Sequence, residues 1–168
     1  TKQETIMVTT TSMTFLLGVF VISILILGYV TQSGAETMNY KFYTWAIKGE
    51  TVPVGDVERH IVGLIVRGAF YVFENGEVAT ISHVSTGDLI KGAGPFMQYV
   101  TINFADGSTI IIKSQGTVEG TAVGATTSGG WTSEIIKGTG RFEGIKGTQS
   151  AKAKYLPVEK GEAGPKGY

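Results

Sequence analysis

The stretch Phe96-Met97-Gln98-Tyr99-Val100-Thr101-Ile102-Asn103-Phe104, then Ala105-Asp106-Gly107, then Ser108 to Val118 (STIIIKSQGTV) decides the fold class. Successive side chains of an extended chain point to opposite faces, so Phe96, Gln98, Val100, Ile102 and Phe104 share one face. Asp106-Gly107 supplies the residues that tolerate positive φ in a tight reversal. These three segments predict an antiparallel hairpin whose apolar side faces a core.

The same pattern continues on both sides. Glu74-Asn75-Gly76-Glu77 reads as a second hairpin turn, joining His60–Phe73 (HIVGLIVRGAFYVF) to Val78–Val84. The first of these runs is too long for one flat strand, so Gly63 and Gly68 are expected to bend or split it. Met38–Ile47 (MNYKFYTWAI), Trp131–Lys137 and Thr148–Leu156 add further strands, for seven or eight in all. No helical period alternates with them, which argues against a parallel α/β sheet. The expectation is one all-β domain over 37–157, a closed antiparallel barrel or a sandwich. Roughly 120 residues suffice for a single core.

Composition narrows the function. The chain has 168 residues, with 14 Lys+Arg against 14 Asp+Glu, so no basic field is available for nucleic acid. Charged residues are 17% and hydrophobic ones 42%, which argues for a packed chain over a disordered one. The 24 glycines follow no collagen period and are assigned to turns, bends and bulges. With no cysteine, disulfides, thiol catalysis and thiolate metal sites are excluded.

No charge occurs between Glu4 and Glu36, and Met13–Val30 (MTFLLGVFVISILILGYV) is almost wholly apolar. Eighteen helical residues rise about 27 Å, close to the hydrocarbon thickness of a bilayer. The expected layout is therefore a tail over 1–12, one transmembrane helix over 13–30 and a linker over 31–36. A secretory signal cleaved after Ser33-Gly34-Ala35 is the competing reading, but the apolar run exceeds the usual h-region of about 7–15 residues. Thr10, Thr14 and Gly18 lie on one ridge, where small residues let another transmembrane helix approach. Lys2 before the helix and Lys41 and Lys48 after it nearly balance, and the signal-like layout favours an extracytoplasmic domain. The segment from Pro157 (PVEKGEAGPKGY), including the polar tail 158–168, has little to bury. Alone it is expected to be disordered unless something packs against it.

Catalytic motifs are scarce. Gly138-x-Gly140 is followed by Glu143 where a dinucleotide fingerprint needs glycine, and it lies among strands. Gly92-Ala93-Gly94-Pro95 is a turn without the lysine–hydroxyl pair of a P-loop. There is no G-x-S-x-G elbow; Gly129-Gly130-Trp131 lacks the serine. The two histidines, His60 and His83, lack metal-site spacing. His60 follows Asp56, Glu58 and Arg59, so it is a candidate member of an acid–base cluster at a barrel rim; an ordinary polar strand start is the plainer reading. His83 faces either interior or solvent by alternation. Asp56, Glu58, Asp88 and Asp106 sit near predicted turns, where such residues belong. Tyr40, Phe42, Tyr43 and Trp45 alternate across both faces of one strand, so part of this aromatic surface points outward.

One segment carries a resemblance. Ile136-Lys137-Gly138-Thr139-Gly140-Arg141-Phe142-Glu143-Gly144-Ile145-Lys146-Gly147 is similar to a run in the allene oxide cyclase-like and dirigent-like barrels, where G-T-G-[K/R]-F-x-G-x-x-G joins two late strands. In that frame Gly138 and Gly140 permit the turn, Phe142 plugs the barrel end, and Gly144 and Gly147 bring the chain back to the sheet. The resemblance spans Ile61–Leu156 as a pattern and is specific over some ten residues. It implies an eight-stranded antiparallel barrel, in some members trimeric, in some cyclising fatty-acid epoxides or steering phenoxy-radical coupling. The matching segment is structural, so it implies no catalytic residue here.

Together these features predict a non-catalytic accessory subunit of a membrane complex, such as a respiratory or photosynthetic one, with no cofactor or metal. Its partners would be the bilayer and other transmembrane subunits, with a homotrimer as a lesser option. The alternative is a membrane-tethered barrel that binds or cyclises a lipophilic small molecule.

Overall fold

The computed structural model describes residues 37–120 and 126–168. The predicted helix 13–30 and its ridge Thr10, Thr14 and Gly18 lie outside these residues, as do the tail 1–12 and linker 31–36. Among the described residues no helix is long and apolar enough to cross a membrane.

Seven antiparallel strands follow one another in space as in sequence: β1 (Tyr40–Pro53), β2 (His60–Phe73), β3 (Val78–Ile90), β4 (Gly94–Asn103), β5 (Thr109–Glu119), β6 (Thr127–Thr139) and β7 (Thr148–Tyr155). Each pairs only with its sequence neighbours, and the sheet curls into a half-barrel. The predicted central hairpin is β4–β5, with Ile102 opposite Ile110 and Val100 opposite Ile112. Gly107 takes φ 83° in its turn, and Asp106 Oδ1 accepts the Ser108 amide at 2.9 Å.

Some boundaries differ from expectation. The run His60–Phe73 is a single strand, neither split nor bulged at Gly63 or Gly68. Register shifts fall instead in the β1–β2 pairing, between Ala46 and Lys48, and in the β5–β6 pairing, between Ile111 and Ile112. Gly68 serves its neighbour: a Cβ there would lie 2.6 Å from the Trp45 ring, so glycine lets the indole lie across β2. β3 continues to Ile90, well past Val84, because Ser85, Thr86 and Gly87 keep pairing with both flanking strands. Polar residues that looked like loop are there extended backbone with satisfied ladders.

One inner end is apolar. Phe73, Ala79, Ile81, Val100, Ile102, Phe104, Ile110 and Ile112 are buried together. Phe104 sits 5.7 Å from Phe73 and 4.6 Å from Phe142, ring centre to ring centre. Arg141 closes this end: its guanidinium lies 4.7 Å from both the Phe104 and Phe142 rings and pairs with Glu77.

The expected eighth strand is replaced by a short C-terminal strap. Thr44 and Gly167 exchange two backbone hydrogen bonds of 2.9 Å, while Lys154 and Tyr168 exchange two more of 2.8 and 3.0 Å. The Leu156 amide donates to the Lys166 carbonyl at 2.8 Å. The strap thus links the edge strands β1 and β7. The large apolar side chains of this segment, Val158 and Tyr168, stay exposed, and it is its glycines that fit. A Cβ on Gly167 would lie 2.7 Å from the Tyr155 ring, and one on Gly164 would lie 2.8 Å from Ile65 Cδ1. What packs on 158–168 is the sheet itself.

Candidate functional site

The turn motif of the late strands is built as its residue types suggest. Gly140–Phe142 form one 3-10 turn after β6, with Gly140 at φ 61° and Gly144 at φ 76°. Gly138 allows a backbone approach: its absent Cβ would meet the Phe142 carbonyl and lie 2.5 Å from Ile145 Cγ2. Gly147 is at φ 159°, and its carbonyl accepts the Ile135 amide at 3.0 Å. Phe142 is half-buried against Phe104. These residues shape one end of the domain and present no reactive group.

The predicted His60 cluster exists in part. His60 sits at the start of β2, with Nδ1 2.5 Å from Asp56 Oδ1 and Nε2 2.6 Å from Asp88 Oδ1. Glu58 and Arg59 make no side-chain hydrogen bond or ion pair with it, and Asp88, placed near a turn by sequence, is the second partner. Hydrogen bonds to Asp88 and Asp56 push the imidazole pKa up, and the bond to His60 pulls that of Asp56 down. With both ring nitrogens held by carboxylates, the imidazole has no free nitrogen for a substrate. It latches the 54–59 turn to β3. Among the described residues no group of three His, Asp or Glu side chains is placed to hold a metal ion.

Two surfaces remain. The first is the outer face of β2, where Val62, Leu64, Phe70 and Val72 are all exposed and the row carries no charge. Register places Tyr43 beside Phe70 on one side and Val78 beside Val72 on the other. Trp45 packs 5.3 Å from Phe70, and Val84 lies opposite Val66. Tyr43 is 56% and Phe70 45% exposed, so these rings are not spent on the domain's own core. The apolar row of β2, with Tyr43, Trp45, Val78 and Val84 beside it, is rimmed by charge, since Lys41 lies opposite Val72, Glu50 opposite Leu64 and Asp88 opposite Val62. An apolar patch with a polar rim marks a docking surface more than isolated exposed side chains do. Sequence alternation put part of the Tyr40, Phe42, Tyr43 and Trp45 surface outward without saying which part; it could not show that β2 and β3 extend the patch, because that depends on register.

The second lies on the inner face beyond the phenylalanine layer. Along β2 to β6 the inward positions change from Phe and Ile to Arg67, His83, Ser85, Gln98, Ser114 and Ser133. Ser133 donates to Ser114 at 2.8 Å. Arg67 is 7% exposed; its Nη1 donates to the Pro165 carbonyl at 2.6 Å, and its guanidinium lies 5.2 Å from the Tyr155 ring centre. His83 stands opposite Arg67 and faces inward, which settles its alternation. Burial, then the Arg67 charge, lowers its pKa to about 4, so it is neutral near pH 7. Nothing in the sequence marked Arg67, since a lone arginine in a strand is ordinarily a solvated one.

A broad open groove of about 1210 Å³ runs over the sheet beyond Asp88, lined by Met97, Lys113, Gln115, Thr132 and Lys152 among others. It gathers no nucleophile–base pair. No protein family, curated protein or solved structure matches this chain.

Proposed function

We propose that this chain is a non-catalytic accessory subunit of a membrane assembly, anchored by residues 13–30, with its β domain docked extracytoplasmically on a neighbouring protein. The uncharged outer row Val62, Leu64, Phe70 and Val72, flanked by Tyr43, Trp45 and Val78, carries this reading. Aromatic rings left exposed on two adjacent strands, with valines beside them on the third, are what a buried interface centre requires. We also read the seven-stranded half-barrel, with its C-terminal strap bridging β1 and β7, as a variant of the allene oxide cyclase-like or dirigent-like barrel that the Gly138–Gly147 turn motif resembles. Mild solubilisation of native membranes, followed by native gel electrophoresis and mass spectrometry, tests the reading. Co-migration with other membrane subunits is expected; migration as a lone 17.9 kDa species would refute it. Protease accessibility of the barrel in sealed vesicles tests the orientation.

A second reading is favoured by Arg67. A guanidinium buried inside a barrel without a carboxylate is costly unless something compensates it. On this reading the barrel is a membrane-tethered binding protein for a small lipophilic molecule.

A further inference from the structure

The inner half of the barrel beyond the phenylalanine layer is rich in donors and poor in acceptors of charge. Among the described residues Arg67 has no carboxylate partner; every ion pair lies elsewhere. Its acceptor is the neutral Pro165 carbonyl of the C-terminal strap. Three further buried side-chain nitrogens have no hydrogen-bond partner, Trp131 Nε1, His83 Nε2 and Gln149 Nε2. Trp131 is only 8% exposed, and its indole nitrogen can only donate. Native interiors seldom leave such groups unsatisfied, and those that persist call for an explanation. Around the indole the walls are apolar, with Phe42 at 5.7 Å and Phe96 at 6.1 Å between ring centres.

We propose that Arg67 is the anion-recognising group of a binding site in this half of the barrel, which takes an anionic head group on a short apolar body. The head group, a carboxylate or a phosphate monoester, replaces the Pro165 carbonyl as the acceptor of the guanidinium. A charged acceptor makes a stronger bond to guanidinium than a neutral carbonyl does and can accept two N–H groups at once. The apolar body lies against Phe42 and Phe96, and the indole N–H supplies a further donor. The inference rests on the binding reading and adds the charge of the ligand to it. A cationic ligand is disfavoured by the same guanidinium, and a neutral one leaves it with its present partner.

The test uses the full chain in nanodiscs with Trp45→Phe, so that emission reports Trp131 alone. Octanoate, octyl phosphate and octanol are titrated separately. Saturable quenching by octanoate or octyl phosphate at least tenfold tighter than by octanol is expected, and the tighter of the two anions identifies the head group. Arg67→Gln should bring both anions to the octanol level, and Arg67→Lys should retain part of the preference. If circular dichroism shows that Arg67→Gln does not fold, the ratio of anion to alcohol affinity with Arg67 intact still decides. Equal saturable binding of octanol and octanoate overturns the anion site and leaves a binding barrel standing. Absence of saturation with all three overturns both.

Discussion

Gly138→Ala is predicted to be far more damaging than the change of a single hydrogen to a methyl group suggests. The new Cβ would lie 2.5 Å from Ile145 Cγ2 and closer still to the Phe142 carbonyl oxygen. Carbon atoms are at ease near 3.5–4.0 Å, so β6 and the returning turn must part by roughly 1 Å. Backbone cannot rotate away as a side-chain tip can, and overpacking of this kind costs about 1–3 kcal/mol. The displaced turn carries Phe142, which packs on Phe104, so the upper end of that range is expected, about 3 kcal/mol. Two other glycines separate crowding from conformation. Gly144 has open space around it but φ 76°, so alanine there should cost only the left-handed strain, about 1–2 kcal/mol. Gly130 has nothing nearer than 4.0 Å and no positive φ, so alanine there should be neutral, or stabilising by up to about 1 kcal/mol. Guanidinium unfolding of the three variants, followed by circular dichroism, measures the order Gly138, Gly144, Gly130. If Gly138→Ala were as mild as Gly130→Ala, the close approach of β6 to the turn would not exist, and the account of the barrel end would fail.

Further outcomes follow from the same geometry. Phe104→Ala should cost about 3–5 kcal/mol, since it removes a ring packed between Phe73, Phe142 and the Arg141 guanidinium; thermal unfolding checks this. His83 has a folded pKa of about 4, below its ordinary value of 6.5, so the unfolded chain binds more protons between these values. Its contribution to stability is therefore complete above pH 6.5 and falls as pH drops toward 4, and His83→Gln should flatten that part of the stability–pH profile. His60 behaves oppositely: its pKa is raised, so its latch is complete below pH 6.5 and loosens as pH rises through the folded value. Hydrogen-exchange protection at residues 54–59, taken relative to the base-catalysed intrinsic rate, should fall over that upper window, and His60→Ala should remove that pH dependence of the protection. Truncation after Glu162 should expose Arg67 to solvent and speed exchange at the Thr44 and Lys154 amides, which lose their strap partners.

The strands were legible wherever alternation was strong. Phe96 to Phe104 announces β4 because every second residue is apolar, and Asp106-Gly107 and Asn75-Gly76 announce turns because positive φ is easiest for those residues. The far end of β3 was not legible, since Ser85, Thr86, Gly87 and Asp88 carry no apolar signal and are held extended by pairing on both sides. The strap's partner was not legible for a similar reason: a glycine's contribution to packing is the side chain it lacks, which no composition scale records. The His60 cluster was half visible, because Asp56 is near in sequence, whereas Asp88 reaches it only through the β2–β3 register. Arg67 and the apolar outer face are properties of three or more strands together, so no single segment could announce them.

The central claim is that the outer face of β2 is covered in the membrane by a neighbouring protein. A photo-crosslinking benzophenone amino acid at Phe70 in native membranes tests it directly, with the same probe at Thr132 as the control. Thr132 is exposed on β6, four strands along the sheet from β2. Irradiation should join the Phe70 probe to one discrete membrane protein and leave the Thr132 probe uncoupled. If both probes leave the chain uncoupled, or both label proteins indiscriminately, the β2 face is not a docking surface.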